Sequence, residues 1–257
     1  MGGAERAERK RKQQAVQAAK AAPATAPETR GGRRGAVAVI ALTLLALIVG
    51  GGMWFLHQRD LPAAIPVAAP GPSYPVTPEG NTVVIGVPDA PVTIDIYEDF
   101  LCAGCGQFEQ LYGSQLETAA AQGQARVVYH PVAILDDYSE PAGYSTLAGG
   151  AALCAAEAGV FPRFHDSLFN TQPQGNGPGW TSAQLQQLGN ALGAGPEFAR
   201  CVQGDHERIG IATDQARDYL SSRRPDGRLG TPTILVNGTI TDTSEPGWLD
   251  EALGAAR

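Results

Sequence analysis

Cys102 and Cys105, set two residues apart in EDFLCAGC, are the residues whose type and spacing point most directly to chemistry. On a helix, that spacing places two sulfurs about one turn apart. One thiol can then exchange with a disulfide while the other attacks the mixed disulfide that results. The same pair could be half of a zinc site or a short structural disulfide. Zinc takes about four ligands, and the other candidates are Cys154, Cys201, His57, His130, His165 and His206, with no second close pair among them. Redox exchange is therefore the favoured reading.

The surrounding pattern places this pair. Val92, Ile94 and Ile96 alternate with Thr93, Asp95 and Tyr97, the period of a strand. Phe108, Leu111, Tyr112, Leu116, Ala119 and Ala120 then fall on one helical face, so Cys102 and Cys105 open a helix just beyond a strand end. Free N–H groups and the helix dipole there favour a Cys102 thiolate. A second strand is expected over Ala125 to Val132. Thr233 to Val236 and Thr239 to Thr241 flank Asn237–Gly238, a type I′ hairpin signal, and Pro246 to Ala256 reads as a closing helix. About a hundred residues separate the second strand from Pro232, more than a simple crossover needs. Helical patterns at 142–158, 160–170, 181–192, 196–203 and 205–222 predict a helical subdomain inserted at about 140–225. Cys154 shares a face with Leu147, Ala151 and Ala158, and Cys201 lies beside Phe198 and Val202. Two inward cysteines on different helices suggest a structural disulfide; the other reading is two independent buried thiols.

Composition narrows the class. With 43% hydrophobic and 18% charged residues among 257, the chain fits neither a disordered nor a multi-span membrane protein. Four cysteines exclude a disulfide-dense scaffold. Residues 1–34 carry nine Lys/Arg against three Asp/Glu, net +6, whereas residues 57–257 are net −13. Between them Gly35 to Leu56 runs 22 residues without a charge, flanked by Arg33–Arg34 and by Trp54–Phe55. This predicts one transmembrane helix with a cytoplasmic N-terminus and the acidic bulk outside. A signal peptide cleaved near Ala63–Ala64 or Ala68–Ala69 is the rival, but the apolar run and its leader are both long for one. The basic tail reads as disordered and drawn to anionic lipid headgroups, with no nucleic-acid partner. Residues 57–79 hold six prolines and read as an extended stalk, leaving 80–257 as one domain. No phosphate-binding glycine loop, nucleophile elbow or internal repeat is present.

EDFLCAGC, followed by LGTPTILVNGTI, resembles the DsbA-like thioredoxin-fold family, thiol-disulfide oxidoreductases of the bacterial cell envelope. The likeness covers about residues 75–257. It implies an α/β thioredoxin-like fold with an all-helical insertion, catalysis by Cys102 and Cys105, and no bound cofactor. It also implies a cis peptide at Thr231–Pro232, facing the dithiol and helping to hold an extended substrate strand. Exported proteins with cysteine thiols would be the partners. A DsbB-like or vitamin K epoxide reductase-type membrane oxidase would regenerate the disulfide. FPRFHDSLFNTQP also resembles a segment of the family's helical subdomain; its His165 reads as packed or capping, diverging from Asp166 by about 100°. A second cysteine pair in the insertion is similar to relatives in high-GC Gram-positive bacteria.

Two departures stand out. Many relatives place a proton-relaying acid where this chain has Ile96, and Asp95 should face the other way. Glu98 is on the right face to substitute, yet the pattern favours Glu98 and Asp99 as a solvated strand end. Ala103–Gly104 replaces the Pro-His pair of the strongest oxidants and offers the thiolate no imidazole. The expected activity is disulfide exchange in the oxidising direction. A reductase or isomerase, a redox-inactive adaptor and a copper carrier are the alternatives, the last disfavoured because Met occurs only at 1 and 53.

Overall fold

The computed structural model describes residues 63–254, apart from 174, 205, 225, 226 and 246. The expected tail 1–34, the span Gly35 to Leu56 and the start of the proline-rich stretch lie outside the described residues. Among the described residues no helix is long and apolar enough to cross a membrane.

Among the described residues six strands form one sheet: β1 (Val76–Glu79), β2 (Thr82–Ile85), β3 (Val92–Glu98), β4 (Ala125–Pro131), β5 (Thr233–Val236) and β6 (Thr239–Ile240). Their order is β1-β2-β4-β3-β5-β6. β3 pairs parallel with β4 and antiparallel with β5, and the remaining pairs are antiparallel. Val92, Ile94 and Ile96 of β3 enter the larger core with Val127, Tyr129, Phe108, Leu116, Phe161 and Leu168. Tyr97, on the opposite face, joins Val132, Leu235, Ala216 and Leu220 in a smaller cluster. The β5–β6 turn has positive φ at both Asn237 and Gly238, 49° and 79°, as a type I′ hairpin requires.

The crossover from β3 to β4 is the helix carrying the dithiol, in three parts: α1 (Ala103–Phe108), a π-helical turn (Glu109–Gly113) and α2 (Ser114–Ala121). The π turn corrects one expectation. Leu111 was placed on the apolar face, but it is 65% exposed, because the wider turn rotates that residue out of the 3.6-residue register. Between β4 and β5 lies the helical subdomain: α3 (Tyr144–Glu157), α4 (Phe161–Asn170), α5 (Ser182–Ala191), α6 (Pro196–Gly204) and α7 (His206–Ser221). α3 is its hub, with Ala148, Ala151, Ala152, Leu153, Cys154 and Ala155 all fully buried. Its small side chains let α4, α6 and α7 approach closely; a Cβ on Gly149 would stand 3.0 Å from Ile209 Cδ1. α8 (Trp248–Gly254) ends the described fold, with Trp248 stacked over Phe108.

From Ala63 onward the proline-rich stretch is a strap bound to the domain, which corrects the expected stalk. Ile65 and Ala68 are buried. Ala68 N–H donates to Ser167 Oγ (2.8 Å), Arg163 Nε–H donates to Ala68 O (3.1 Å), and Gln184 Nε2 donates to Ala63 O (2.8 Å). Tyr74 donates its hydroxyl to Glu117. Proline keeps such a chain extended, which leaves its backbone groups open to side chains of α4 and α5. β1 itself starts within the expected linker.

Cys154 of α3 and Cys201 of α6 are joined in a disulfide, with a Cα–Cα distance of 5.8 Å and a sequence separation of 47. Closing a loop of that length restricts the unfolded chain by about 4 kcal/mol on the entropy model. Replacing both cysteines by Ala should lower unfolding free energy by about 2–4 kcal/mol while leaving Cys102 reactive. Urea denaturation followed by circular dichroism checks this, and an unchanged midpoint would contradict it.

Candidate functional site

Cys102 is the residue before the first turn of α1, with extended backbone angles (φ −73°, ψ 111°). Its carbonyl accepts from Gly106 N–H at 3.1 Å, and its N–H donates to Asp99 O at 2.9 Å. Cys102 is 8% exposed and Cys105 1% exposed, so only Cys102 has an outlet to solvent. The Thr231–Pro232 peptide is cis and lies against the dithiol. Cys102 Sγ donates to Thr231 O at 3.2 Å, and a Cβ on Gly104 would stand 3.1 Å from Pro232 Cδ.

The two thiols differ electrostatically. Cys102 is lowered to about 6: the Cys105 thiol donates to it, and the Thr231 hydroxyl and the Cys105 and Gly104 N–H groups add to that, against the cost of burial. Cys105 is pushed well above an ordinary thiol, by burial first and then by its bond to Cys102 and the Cys102 charge. The Asp99 N–H pulls it down and the charge of Glu98 pushes it up.

A second set of contacts holds the loop before α1. Gln172 Nε2 donates to Phe100 O (3.0 Å) and to Cys102 O (2.8 Å). A Cβ on Gly106 would stand 2.5 Å from Gln172 Oε1, so the clamp requires glycine there. Asp99 Oδ1 accepts from Leu101 N–H (2.8 Å) and Ser145 O–H (2.6 Å), and Oδ2 accepts from Ile134 N–H (2.9 Å) and Leu135 N–H (3.1 Å). Burial still holds its pKa above the usual carboxylate value.

Glu98 and Asp99 are therefore not a solvated strand end; both are 0% exposed. Asp99 meets donors from β4's exit and α3. Glu98 meets His165 of α4, whose Nε2 lies 2.9 Å from Glu98 Oε1. His165 is packed, one of the two roles expected for it beside capping, among the rings of Phe100, Tyr129, Phe161 and Phe169. It is also paired with its neighbour: Nδ1 lies 3.6 Å from Asp166 Oδ1, because the ring turns back along the helix despite the 100° step. Burial opposes its charge, but Glu98, Asp166 and Glu109 outweigh that and raise it well above an ordinary histidine. Glu109, on the π turn, is raised to about 8 by burial, with His165 opposing and Glu98 reinforcing the shift.

Glu98, Glu109 and His165 each offer a polar atom within 4.8 Å of the others. The His165 ring lies between two carboxylates, with Nε2 2.9 Å from Glu98 Oε1 and Nδ1 3.6 Å from Asp166 Oδ1, which favours its protonated form.

Of the residues singled out in the sequence, Cys102 meets Thr231 O and Cys105, Pro232 lies over Gly104, and Glu98 ends β3 against His165. Sequence reasoning missed Gln172, Asp99 and Glu109. Gln172 lay inside the quoted FPRFHDSLFNTQP segment, but nothing local shows that its amide folds back on a loop 70 residues earlier.

A buried dithiol at a helix start, opposite a cis-proline and beneath a helical insertion, defines a thioredoxin-fold redox site. The comparisons identify the family. The sequence profile of the thioredoxin family Thioredoxin_4 matches residues 78–253. DsbA from Mycobacterium tuberculosis superposes with a TM-score of 0.57 at 26% identity, covering 69% of this chain and 100% of that one. The disulfide oxidoreductase DsbG of the same organism gives 0.55 at 28%, covering 66% and 82%. MdbA from Corynebacterium matruchotii shares the fold, with a TM-score of 0.62 at 22% identity, covering 71% and 92%. The serine/threonine-protein kinase PknE of Mycobacterium tuberculosis is 32% identical over 178 residues, 67% of this chain but only 31% of that protein. The chain belongs to the thioredoxin family, in its DsbA-like class of thiol-disulfide oxidoreductases.

In the reduced protein, alkylation of Cys102 by iodoacetamide should rise with pH through a midpoint of about 6, because its thiolate is lost only as pH falls below that value. Cys105, shifted the opposite way, should stay unmodified through neutral pH. Mass spectrometry of quenched samples separates the two, and a common midpoint between 8 and 9 would contradict the geometry.

Proposed function

We propose that this protein is a membrane-anchored, extracytoplasmic oxidoreductase that passes a disulfide to exported proteins through Cys102–Cys105. The observation that carries this is the inequality of the two thiols beside the cis-proline. A client thiolate attacks Cys102 Sγ, the Cys102–Cys105 bond breaks, and Cys105 leaves and takes a proton. The second client thiolate attacks the client sulfur of the mixed disulfide and releases Cys102 as a thiolate. The client loses two electrons and two protons, and the active-site disulfide gains the electrons. A stabilised Cys102 thiolate is a good leaving group and favours the reduced protein, which makes the disulfide an oxidant.

Pro232 has no N–H, so an extended client segment can lie over it without meeting an unpaired donor. Anchoring rests on the uncharged Gly35 to Leu56 run and the +6 and −13 charge split around it. A membrane oxidase of the DsbB-like or vitamin K epoxide reductase type would return the protein to its disulfide form.

In cells, Cys105→Ser should accumulate mixed disulfides between Cys102 and exported proteins, visible as bands that vanish on reduction, and Cys102→Ser should accumulate none. Equal capture by both variants, or by neither, would count against the proposed role.

A further inference from the structure

Cys102 meets the rest of the substrate face through the Gly230–Thr233 turn, which leads into β5. Its Sγ donates to Thr231 O at 3.2 Å, and the Thr231 hydroxyl stabilises its thiolate. Whatever fixes this turn therefore fixes one wall of the site.

A short chain of hydrogen bonds holds it from behind. Thr233 O–H donates to Gly230 O at 2.6 Å, closing the turn across Thr231 and Pro232. The same hydroxyl oxygen accepts from Arg224 Nη1 at 2.9 Å. A guanidinium only donates, so the direction is fixed: Arg224 gives to Thr233, and the single Thr233 proton goes to Gly230. A charged donor polarises the hydroxyl and strengthens its bond to the carbonyl. Thr233 is buried, so bulk water does not compete for that hydroxyl. The guanidinium also lies alongside the turn: a Cβ on Gly230 would stand 3.5 Å from Nη1, 3.6 Å from Nη2 and 3.7 Å from Cζ. Arg224 is itself anchored just beyond α7, where its N–H donates to Leu220 O at 3.0 Å and its C=O accepts from Gly227 N–H at 3.1 Å. Leu220 and, behind it, Leu229 pack in the cluster of Tyr97 and Leu235. Thr233 pairs with Tyr97 across β5 and β3, the strand that runs on to Cys102. The last helix of the insertion thus reaches the substrate face through one side chain.

We propose that Arg224 is a positioning residue for client exchange: through Thr233 it holds the Gly230–Thr233 turn where an extended client segment can lie over Pro232 while its thiolate attacks Cys102 Sγ. The inference rests on the oxidoreductase reading and adds Arg224 and Thr233 to it as residues that touch no reacting atom. The exchange itself is the same for every client: the attacking thiolate bonds to Cys102 Sγ, the Cys102–Cys105 bond breaks, and Cys105 leaves with the electron pair. What the clamp changes is alignment. A polypeptide that lies across the turn depends on its placement, whereas a small dithiol reaches the sulfur without docking there.

The test reacts the disulfide form of the full chain, purified in detergent, with a synthetic extended peptide carrying two cysteine thiols and, separately, with dithiothreitol. Chromatography of acid-quenched samples gives both second-order rate constants, and the readout is their ratio. Arg224→Gln and Thr233→Val should each lower the peptide-to-dithiothreitol ratio by about ten-fold. Arg224→Lys should restore part of it, and Thr233→Ser, which keeps the hydroxyl, should stay within about two-fold of wild type. The double variant Arg224→Gln/Thr233→Val should lose no more than either single one, because both cut the same chain. A merely structural loss would lower both rates together and leave the ratio where it was. An unchanged ratio in Arg224→Gln and Thr233→Val would overturn the proposal. Absence of both reactions in the wild-type protein would instead overturn the oxidoreductase reading beneath it. Should the variants fail to fold, nitrogen-15 spectra of the wild-type protein decide. The Arg224 guanidinium protons should exchange with water more slowly than those of free arginine, and exchange as fast as in free arginine would refute the clamp.

Discussion

The hydrogen bond from the Cys105 thiol to Cys102 holds two chemically identical groups in unequal states, and much of the domain serves to keep it in place. An isolated dithiol in water would have two similar pKa values near 8.5. Here one sulfur sits at the start of α1 among backbone donors, and the other lies beneath it against the sheet. The inequality depends on burial of Cys105, and burial depends on Ile96, Phe100, Phe108 and the α4 helix packed over them. Loosening that packing would hydrate Cys105 and bring the two sulfurs closer in proton affinity.

Such a site carries unusual polar cost, and the fold offsets it locally. Asp99 is buried but meets four donors, so its carboxylate pins the turn before α1 to β4's exit and to α3. Glu98 is buried but paired with His165, whose protonated form the surrounding carboxylates favour. Removing one member of that pair would strand the other, which is far more costly than the pair itself. The helical insertion is thus more than a cover. It supplies Ser145, His165 and Gln172 to the redox site, and the disulfide between α3 and α6 braces the helix that carries Ser145.

What could be read from the sequence was what local pattern encodes. The alternation in VTIDIYE marks β3, the five helices of the insertion follow their apolar spacing, and Asn237–Gly238 marks its hairpin. The cis peptide at Thr231–Pro232 was expected only through resemblance, since the dipeptide by itself favours the trans form. Most of the misses share a cause, a partner far along the chain. Glu98 looked like a strand end because His165 is 67 residues away. Residues 63–75 looked like a stalk because proline content reports extension and says nothing of Ser167, Arg163 and Gln184 waiting to bind it. Leu111 was misplaced because a π turn breaks the period on which the reading relied.

On the proposed reading, stabilising the Cys102 thiolate favours the reduced protein and makes the disulfide a donor. The reduction potential of the Cys102–Cys105 couple, measured against glutathione buffers with the Cys154–Cys201 bond intact, tests it most directly. The expected value lies well above the roughly −270 mV of thioredoxin, in the region of about −180 to −120 mV where protein disulfide isomerase and DsbA operate. A value at or below about −270 mV would contradict it and mark the protein as a reductase.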